Sequence, residues 1–171
     1  MILTRAFALL NRLFPVEKAS AHCDIPCGIY DPHPAQIAAQ TVLRMNQLID
    51  QLPQPGPDAD KAKLSAYENS LSRYIAVKEQ HADLVKRELL IIWGDYFKAE
   101  HLEKFPDLHT TFWNTIKLAS KNKQEVSMQA AQDLLASVQK VAEIFWASKG
   151  ASVRRQPSLQ TVGGEAVYPA A

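Results

Sequence analysis

The distribution of glycine and proline constrains the fold of this chain more than any other feature. Residues 58–149 contain a single glycine, Gly94, and a single proline, Pro106, whereas the flanking segments are rich in both. Proline removes a backbone donor and glycine adds conformational freedom, so both interrupt helices. A long region nearly free of them therefore predicts long helices, and the flanking segments predict turns.

Apolar residues recur with helical spacing in four stretches. These stretches are residues 38–52, 64–96, 108–119 and 128–145. Proline clusters bound the first stripe, and the second predicts one long helix that bends near Gly94. Pro106 suits the first turn of the third helix, the polar residues 120–124 predict a turn, and the fourth helix is expected to stop at Gly150.

Four amphipathic helices with short connections predict an all-α fold, an antiparallel four-helix bundle. Its core is expected to include Trp93, Trp113 and Trp146. No segment shows the alternation that is typical of strands, and no internal repeat is present. Residues 151–171 carry scattered polar residues, glycine and proline without a stripe, and we expect a flexible C-terminal tail there.

Composition excludes several classes of protein. The 19 basic and 18 acidic side chains leave a net charge of +1, which gives no reason to expect a nucleic-acid partner. No apolar run approaches the ~20 residues that span a membrane, so no membrane partner is expected. Two cysteines are too few for a disulfide scaffold.

Residues 1–21 differ from the rest of the chain and are predicted to be a leader. They are basic and apolar, with no acidic residue before Glu17, and they end in Ala19-Ser20-Ala21. Such small residues are typical of a site cut by a processing protease. A secretory signal, a transit peptide and a simple pro-segment all fit, and an N-terminal helix docked on the bundle is the alternative. Cleavage after Ala21 would leave His22 as the first residue.

Residues 22–28, which we call the hook segment, carry the chemistry of this sequence. His22, Cys23 and Cys27 place one imidazole and two thiols within six residues, and Pro26 and Gly28 favour a turn between them. Thiolates are soft ligands and imidazole is borderline, so this set suits zinc, copper or nickel rather than magnesium or calcium.

Cleavage ahead of His22 would add a free α-amine to these donors. The amine, the deprotonated amide and the thiolate of Cys23 can form small chelate rings in one plane, which Cys27 can complete while the imidazole approaches axially. Planar nitrogen and sulfur ligation suits Ni(II) and Cu(II), whereas structural zinc is tetrahedral. Such donors favour redox chemistry. A Cys23–Cys27 disulfide and two reduced cysteines remain as alternatives.

The segment HCDIPCGIYDP resembles the N-terminal nickel hook of nickel-containing superoxide dismutases, whose motif is H-C-x-x-P-C-G-x-Y-D-P. The stretches VKEQHADL, LLIIWGDYFKAEHLEKFPDLH and IFWASKG are similar to matching stretches of that family, in the same order. The resemblance extends over residues 22–150, which would form one domain of hook and bundle between the leader and the tail.

The resemblance implies a ligand set and a reaction. The α-amine and imidazole of His22, the amide and thiolate of Cys23 and the thiolate of Cys27 would hold one nickel ion per subunit. The enzyme would convert superoxide to dioxygen and hydrogen peroxide by Ni(III)/Ni(II) cycling. The family further implies removal of the leader by a protease, a four-helix bundle, a homohexamer and a cytoplasmic location.

The same resemblance assigns roles around the metal. Tyr30 and Tyr96 match tyrosines beside its open face, where they would order water and limit access, and Asp24 matches a residue that braces the hook. Packing for Tyr30 and a turn cap for Asp24 are the alternatives. Ala38 and His81 stand where some members carry a glutamate and an arginine that orient the hook histidine. His81 is therefore only a candidate for that role.

Two other functions remain open from the residues alone. One is an exported helical binding protein with a Cys23–Cys27 disulfide, and the other is a nickel or copper carrier. A di-iron site is excluded, because no glutamate is followed by a histidine three residues later. The other histidines are interpreted as surface or packing residues: His33, His101 and His109.

Overall fold

The computed structural model describes residues 28–170, so the predicted leader and residues 22–27 of the hook segment lie outside it. Its helices are α1 (His33–Asp50), α2 (Lys61–Ile91), α3 (Ala99–Lys104), α4 (Leu108–Gln124) and α5 (Met128–Ser148). A π-helical turn, Ile92–Tyr96, follows α2, and two strands follow α5: β1 (Val153–Pro157) and β2 (Glu165–Pro169).

The four long helices pack in a ring, which confirms the predicted bundle. Helix α1 contacts α2 and α5, and α4 contacts the same two helices from the other side. Each helix is therefore beside the helices that precede and follow it, as short connections require. The centre is filled by alanine, valine and leucine together with two buried phenylalanines, Phe112 and Phe145. Burial of these apolar side chains supplies the main driving force for folding.

Local sequence explains where the helices begin and end. Pro34 occupies the first turn of α1, where a missing backbone N–H costs nothing. The Asp60 carboxylate accepts a hydrogen bond of 2.8 Å from the Lys63 N–H and caps α2. Ser127 caps α5 in the same way, through the Ala130 N–H at 3.2 Å. Gly150 follows α5 with a φ of +75°, which favours glycine.

The long second helix is confirmed at 31 residues, and Gly94 lies in the π-helical turn that follows it. Three other expectations are wrong. Residues 120–124 continue α4 instead of forming a turn, because Asn122 is buried and donates to the Leu118 and Ala130 carbonyls. Helix α4 begins at Leu108, two residues after Pro106. Trp113 is 56% exposed, whereas Trp93 and Trp146 pack against the core.

The greatest difference from the sequence prediction is at the C-terminus. Strands β1 and β2 pair antiparallel, with Val153 opposite Pro169 and Pro157 opposite Glu165. Ala166 and Val167 are buried against the helices. The prediction of a flexible tail is therefore wrong for residues 153–169, which we call the C-terminal hairpin. Its short strands lack a strong period of two, and their binding partners are side chains far away in the sequence.

Buried amide side chains hold this hairpin on the bundle. Gln36 of α1 donates to the Val167 carbonyl at 2.9 Å, and its own carbonyl accepts from the Val167 N–H at 2.8 Å. Gln139 of α5 donates to the Glu165 carbonyl at 2.7 Å. These glutamines satisfy backbone groups that burial removes from water.

Lys78 is a buried cation at the junction of α2 with the end of α4. Its side chain is only 1% exposed, and its ammonium donates to the carbonyls of Asn122 and, at 2.7 Å, of Glu125. Burial lowers the pKa of Lys78, although Glu79 and Glu125 act in the opposite direction. The side chain thus stabilises the chain reversal between α4 and α5.

No helix within residues 28–170 combines the length and the apolar character that a membrane crossing requires.

Replacing Lys78 by methionine keeps the apolar stem and removes the donor to two carbonyls. We expect Lys78→Met to lower the free energy of unfolding by about 1–3 kcal/mol in urea denaturation at pH 7. Lys140→Met, at an exposed site, is the control and should change little. An unchanged midpoint for Lys78→Met would show that these carbonyls do not need the ammonium.

Comparison of wild type with Lys78→Met also tests how the contribution of Lys78 to the free energy of unfolding changes with pH. Because the pKa of Lys78 is lower in the folded chain than its ordinary value of 10.5, the unfolded chain binds this proton more tightly. The contribution of Lys78 to the free energy of unfolding should therefore increase as pH rises from the folded-state pKa toward 10.5. The difference between wild type and Lys78→Met isolates this contribution from other titrating groups.

Candidate metal centre

The predicted ligands His22, Cys23 and Cys27, and the predicted brace Asp24, lie outside the described residues. The structure begins at Gly28, directly after Cys27, with a φ of +73° that favours glycine. Residues 28–32, which we call the stem, connect the hook segment to α1. The stem and the surface that it meets form the part of the site that the structure describes.

The structure brings together the two tyrosines that the sequence assigned to the site. The ring centroids of Tyr30, in the stem, and Tyr96, at the end of the π-helical turn, are 5.6 Å apart at an angle of 56°. Both side chains are partly buried against the core, so the packing alternative for Tyr30 describes part of its role. The contact holds the stem against the end of α2.

A cavity of about 330 Å³ opens beside these tyrosines. It is lined by Gly28, Tyr30, Asp95, Tyr96, Lys98, Glu100 and His101. Because Gly28 follows Cys27 in sequence, the cavity lies where the chain leaves the hook segment. Its charged groups are of both signs, and its aromatic groups come from the stem and the π-helical turn. A small polar molecule or several ordered waters fit this volume.

Tyr96 is held on several sides. Its phenolic oxygen lies 2.7 Å from Ser148 Oγ, and Ser148 Oγ donates to the Phe145 carbonyl at 2.7 Å. Because the serine proton is used in that second bond, the phenol donates to the serine. The Tyr96 ring packs on Phe145 at 4.6 Å, and the Lys149 ammonium lies 5.4 Å from its centroid. The end of α5 therefore fixes the orientation of Tyr96.

His101 is a site residue that the sequence prediction missed. Its ring stacks on Tyr96 with centroids 5.6 Å apart and an angle of 24°, and its Nδ1 accepts a 2.9 Å hydrogen bond from the Lys98 N–H. The interpretation of His101 as a surface or packing residue agrees with this stacking, but it omits that His101 lines the cavity. Ser148 and Lys149 were missed as well. All three lie in segments that resemble the family, but no spacing singled them out.

Ala38 and His81, the two positions that depart from the family pattern, provide few polar atoms that could orient the hook histidine. Ala38 is 1% exposed in the core and carries no polar side-chain atom. His81 Nδ1 donates a hydrogen bond of 2.9 Å to the Val77 carbonyl of its own helix. That ring nitrogen is therefore already used. No group of three or more histidine, cysteine, aspartate or glutamate residues between 28 and 170 could hold a metal ion.

The bond between Tyr96 and Ser148 can be measured directly by a double-mutant cycle. We expect Ser148→Ala and Tyr96→Phe each to lower the free energy of unfolding, with a coupling of about 1 kcal/mol between them. Urea denaturation of the four proteins gives this value. Ser120→Ala is the matched control, because Ser120 bonds only the Ile116 carbonyl of its own helix. Additive effects would mean that the bond contributes nothing.

Comparisons with known proteins point to one family. The family model described as nickel-containing superoxide dismutase matches residues 17–149. Superoxide dismutase [Ni] of Streptomyces seoulensis is 36% identical over 146 residues, which cover 84% of this chain and 100% of the relative. Superoxide dismutase [Ni] of Streptomyces coelicolor is 35% identical over 144 residues, with the same coverage.

Solved structures agree with these relatives. The native nickel superoxide dismutase structure at 1.30 Å is 33% identical, with a TM-score of 0.64, and the match covers 76% of this chain and 100% of the other. The crystal structure with nickel ligation corresponding to the oxidized state gives the same identity, TM-score and coverage. In both comparisons the similarity includes the whole of the known chain.

Proposed function

Because this chain belongs to the nickel-containing superoxide dismutase family, we propose that His22, Cys23 and Cys27 hold its nickel ion. The protein is a superoxide dismutase, an oxidoreductase with a nickel cofactor and superoxide as substrate. The observation that supports these ligands most strongly is the hook segment itself, which leads directly into the tyrosine-lined cavity at Gly28.

The donors of the hook segment fit nickel. Two thiolates, an amide nitrogen, an α-amine and the His22 imidazole would hold the ion, and these nitrogen and sulfur donors suit nickel rather than a structural zinc. Deprotonation of the thiols accompanies metal binding. The bound ion supplies a Ni(III)/Ni(II) couple, through which two superoxide ions and two protons become one dioxygen and one hydrogen peroxide.

The other side chains limit access to the metal and order the waters that exchange protons. In this proposal, Tyr30 and Tyr96 form a wall of the cavity, exclude larger molecules and order the waters that exchange protons with the product. Because the Tyr96 phenol donates a hydrogen bond to Ser148, the phenol oxygen can still accept a hydrogen bond from water. Asp24 braces the hook segment. His81 remains a candidate for orienting the His22 imidazole. It could do so only through its Nε2, because its Nδ1 bonds the Val77 carbonyl.

Maturation and assembly complete the proposal. Residues 1–21 are a leader that a protease removes, which frees the α-amine of His22. Residues 22–150 then form the hook and bundle, and the mature chains assemble as a homohexamer that encloses the hooks. We place the enzyme in the cytoplasm, because Asn11 and Arg12 interrupt the apolar part of the leader and weaken it as an export signal.

Loss of either thiolate should abolish the function. We expect Cys23→Ser and Cys27→Ser, each processed to His22, to retain less than about one hundredth of the nickel affinity and to show no superoxide dismutation above background. Metal content is measured by mass spectrometry and turnover by pulse radiolysis. Ser72→Ala, which lies far away on α2, is the control. An active single serine variant would refute the ligand set.

The α-amine can be tested separately from the thiols. A chain matured with one extra alanine ahead of His22 keeps all the side chains but moves the amine out of chelating position. We expect it to lose superoxide dismutation, while both cysteines still react with a thiol reagent as in the metal-free wild type. Native mass spectrometry confirms the N-terminus and the oligomeric state of each protein. Full turnover by the extended chain would exclude the amine as a ligand.

A further inference from the structure

The C-terminal hairpin lies outside the part of the chain that matches the family. The family model ends at residue 149, whereas the hairpin occupies residues 153–169. Sequence similarity to the known enzymes therefore assigns it no role. Its position against α1 and α5 nevertheless connects it to the end of the bundle where α1 begins.

The hairpin is bound to α1 with the geometry of a paired strand. The Gln36 side chain contacts both the N–H and the carbonyl of Val167, and Gln36 itself is fully buried. A buried amide that satisfies both backbone groups of one residue fixes the register of β2 along the helix, because any shift would leave three or four polar groups without partners. Gln139 and Arg155 attach the hairpin to α5.

This register places Tyr168, the next residue of β2, against the start of α1. The ring centroids of Tyr168 and His33 are 5.2 Å apart at an angle of 40°. His33 is the first residue of α1 and directly follows the stem. Its Nδ1 is buried and has no hydrogen-bond partner within the described part of the chain. Packing by Tyr168, rather than a bond to Nδ1, therefore limits the movement of this ring.

The stem is thus held by one aromatic contact at its middle residue and by a second at the residue that follows it. Tyr30 packs on Tyr96, and His33 packs on Tyr168, with only Asp31 and Pro32 between them. The His33 N–H also donates to the Asp31 carboxylate at 2.7 Å, which tightens this short connection. Only the first contact belongs wholly to the family-matched region, since the second requires the hairpin.

We propose that the C-terminal hairpin positions the nickel hook, with Tyr168 acting through His33 on the stem. This inference rests on the proposed ligands and adds Tyr168 as a positioning residue that does not touch the metal. A stem fixed at Tyr30 and at the start of α1 restricts the backbone that follows Gly28, and it thereby limits the directions in which Cys27 can leave the metal. Residues that support metal ligands indirectly change metal retention strongly.

Nickel release from the full-length, leader-processed protein tests this inference. Release from the loaded enzyme into excess chromogenic chelator gives a rate that does not depend on turnover. We expect Tyr168→Ala to release nickel about tenfold faster than wild type, since the His33 contact is lost. Tyr168→Phe keeps the ring and should release nickel at the wild-type rate, because the contact with His33 is made by the ring and not by the hydroxyl group.

Gln139→Leu separates positioning from general loosening of the hairpin. It removes the bond to Glu165, at the far end of β2 from the stem, and one of the two partners of Arg155, which still pairs with Glu143. We expect a urea midpoint lowered at least as much as that of Tyr168→Ala, but nickel release close to the wild-type rate. Equal acceleration in both variants, or no acceleration in Tyr168→Ala, would overturn the inference.

The two proposals fail in different ways. A wild-type chain that begins at His22 and binds no nickel would refute the ligand set, and with it the positioning role. Normal nickel loading of wild type with unchanged release from Tyr168→Ala would overturn the positioning role alone. In the loaded proteins, the nickel–thiolate absorption bands give a second readout. We expect Tyr168→Ala to shift them and Gln139→Leu to leave them unchanged.

Discussion

Helix α1 packs closely between α2 and α5, and this packing sets the positions of the stem, the hairpin and the π-helical turn. Three small side chains make it possible: Ala35, Ala38 and Ala39 are almost fully buried on the inner face of α1. Their size allows the backbone of α1 to approach its neighbours, and dispersion contacts accumulate along the whole helix. The start of α1, and so the stem that precedes it, is fixed relative to the π-helical turn and the end of α5.

Three chain segments meet at that end of the bundle. The stem contributes Tyr30, the π-helical turn contributes Tyr96, and the end of α5 contributes Ser148, which accepts from Tyr96. The cavity lies between the stem and the segment 95–101, and the end of α5 supports Tyr96 from behind. Aromatic packing attaches the stem, which is a short loop, to this surface.

Buried polar side chains in this protein serve backbone groups that regular structure leaves unpaired. Lys78 donates to carbonyls at the turn between α4 and α5, and Gln36 pairs with Val167 of the hairpin. In each case the partner is more than forty residues away. Hydrophobic periodicity carries no information on such pairs, since a buried glutamine in a helix looks like a surface residue. The hairpin was missed for this reason, whereas the true end of α4 was missed because the buried Asn122 amide bonds the Leu118 and Ala130 carbonyls.

The bundle and the donor groups proposed to hold nickel can both be read from the amino-acid sequence. Helical stripes follow from local spacing, and His22, Cys23 and Cys27 lie within six residues, so neither depends on distant parts of the chain. Three contacts become visible only in the folded chain: Tyr30 meets Tyr96, His101 stacks on the same ring, and the C-terminus folds back onto α1. The first and the last of these contacts join residues far apart in sequence, and helix packing brings those positions to one end of the bundle. Tyr96 and His101 are five residues apart, and their contact depends on the course of the chain after the π-helical turn.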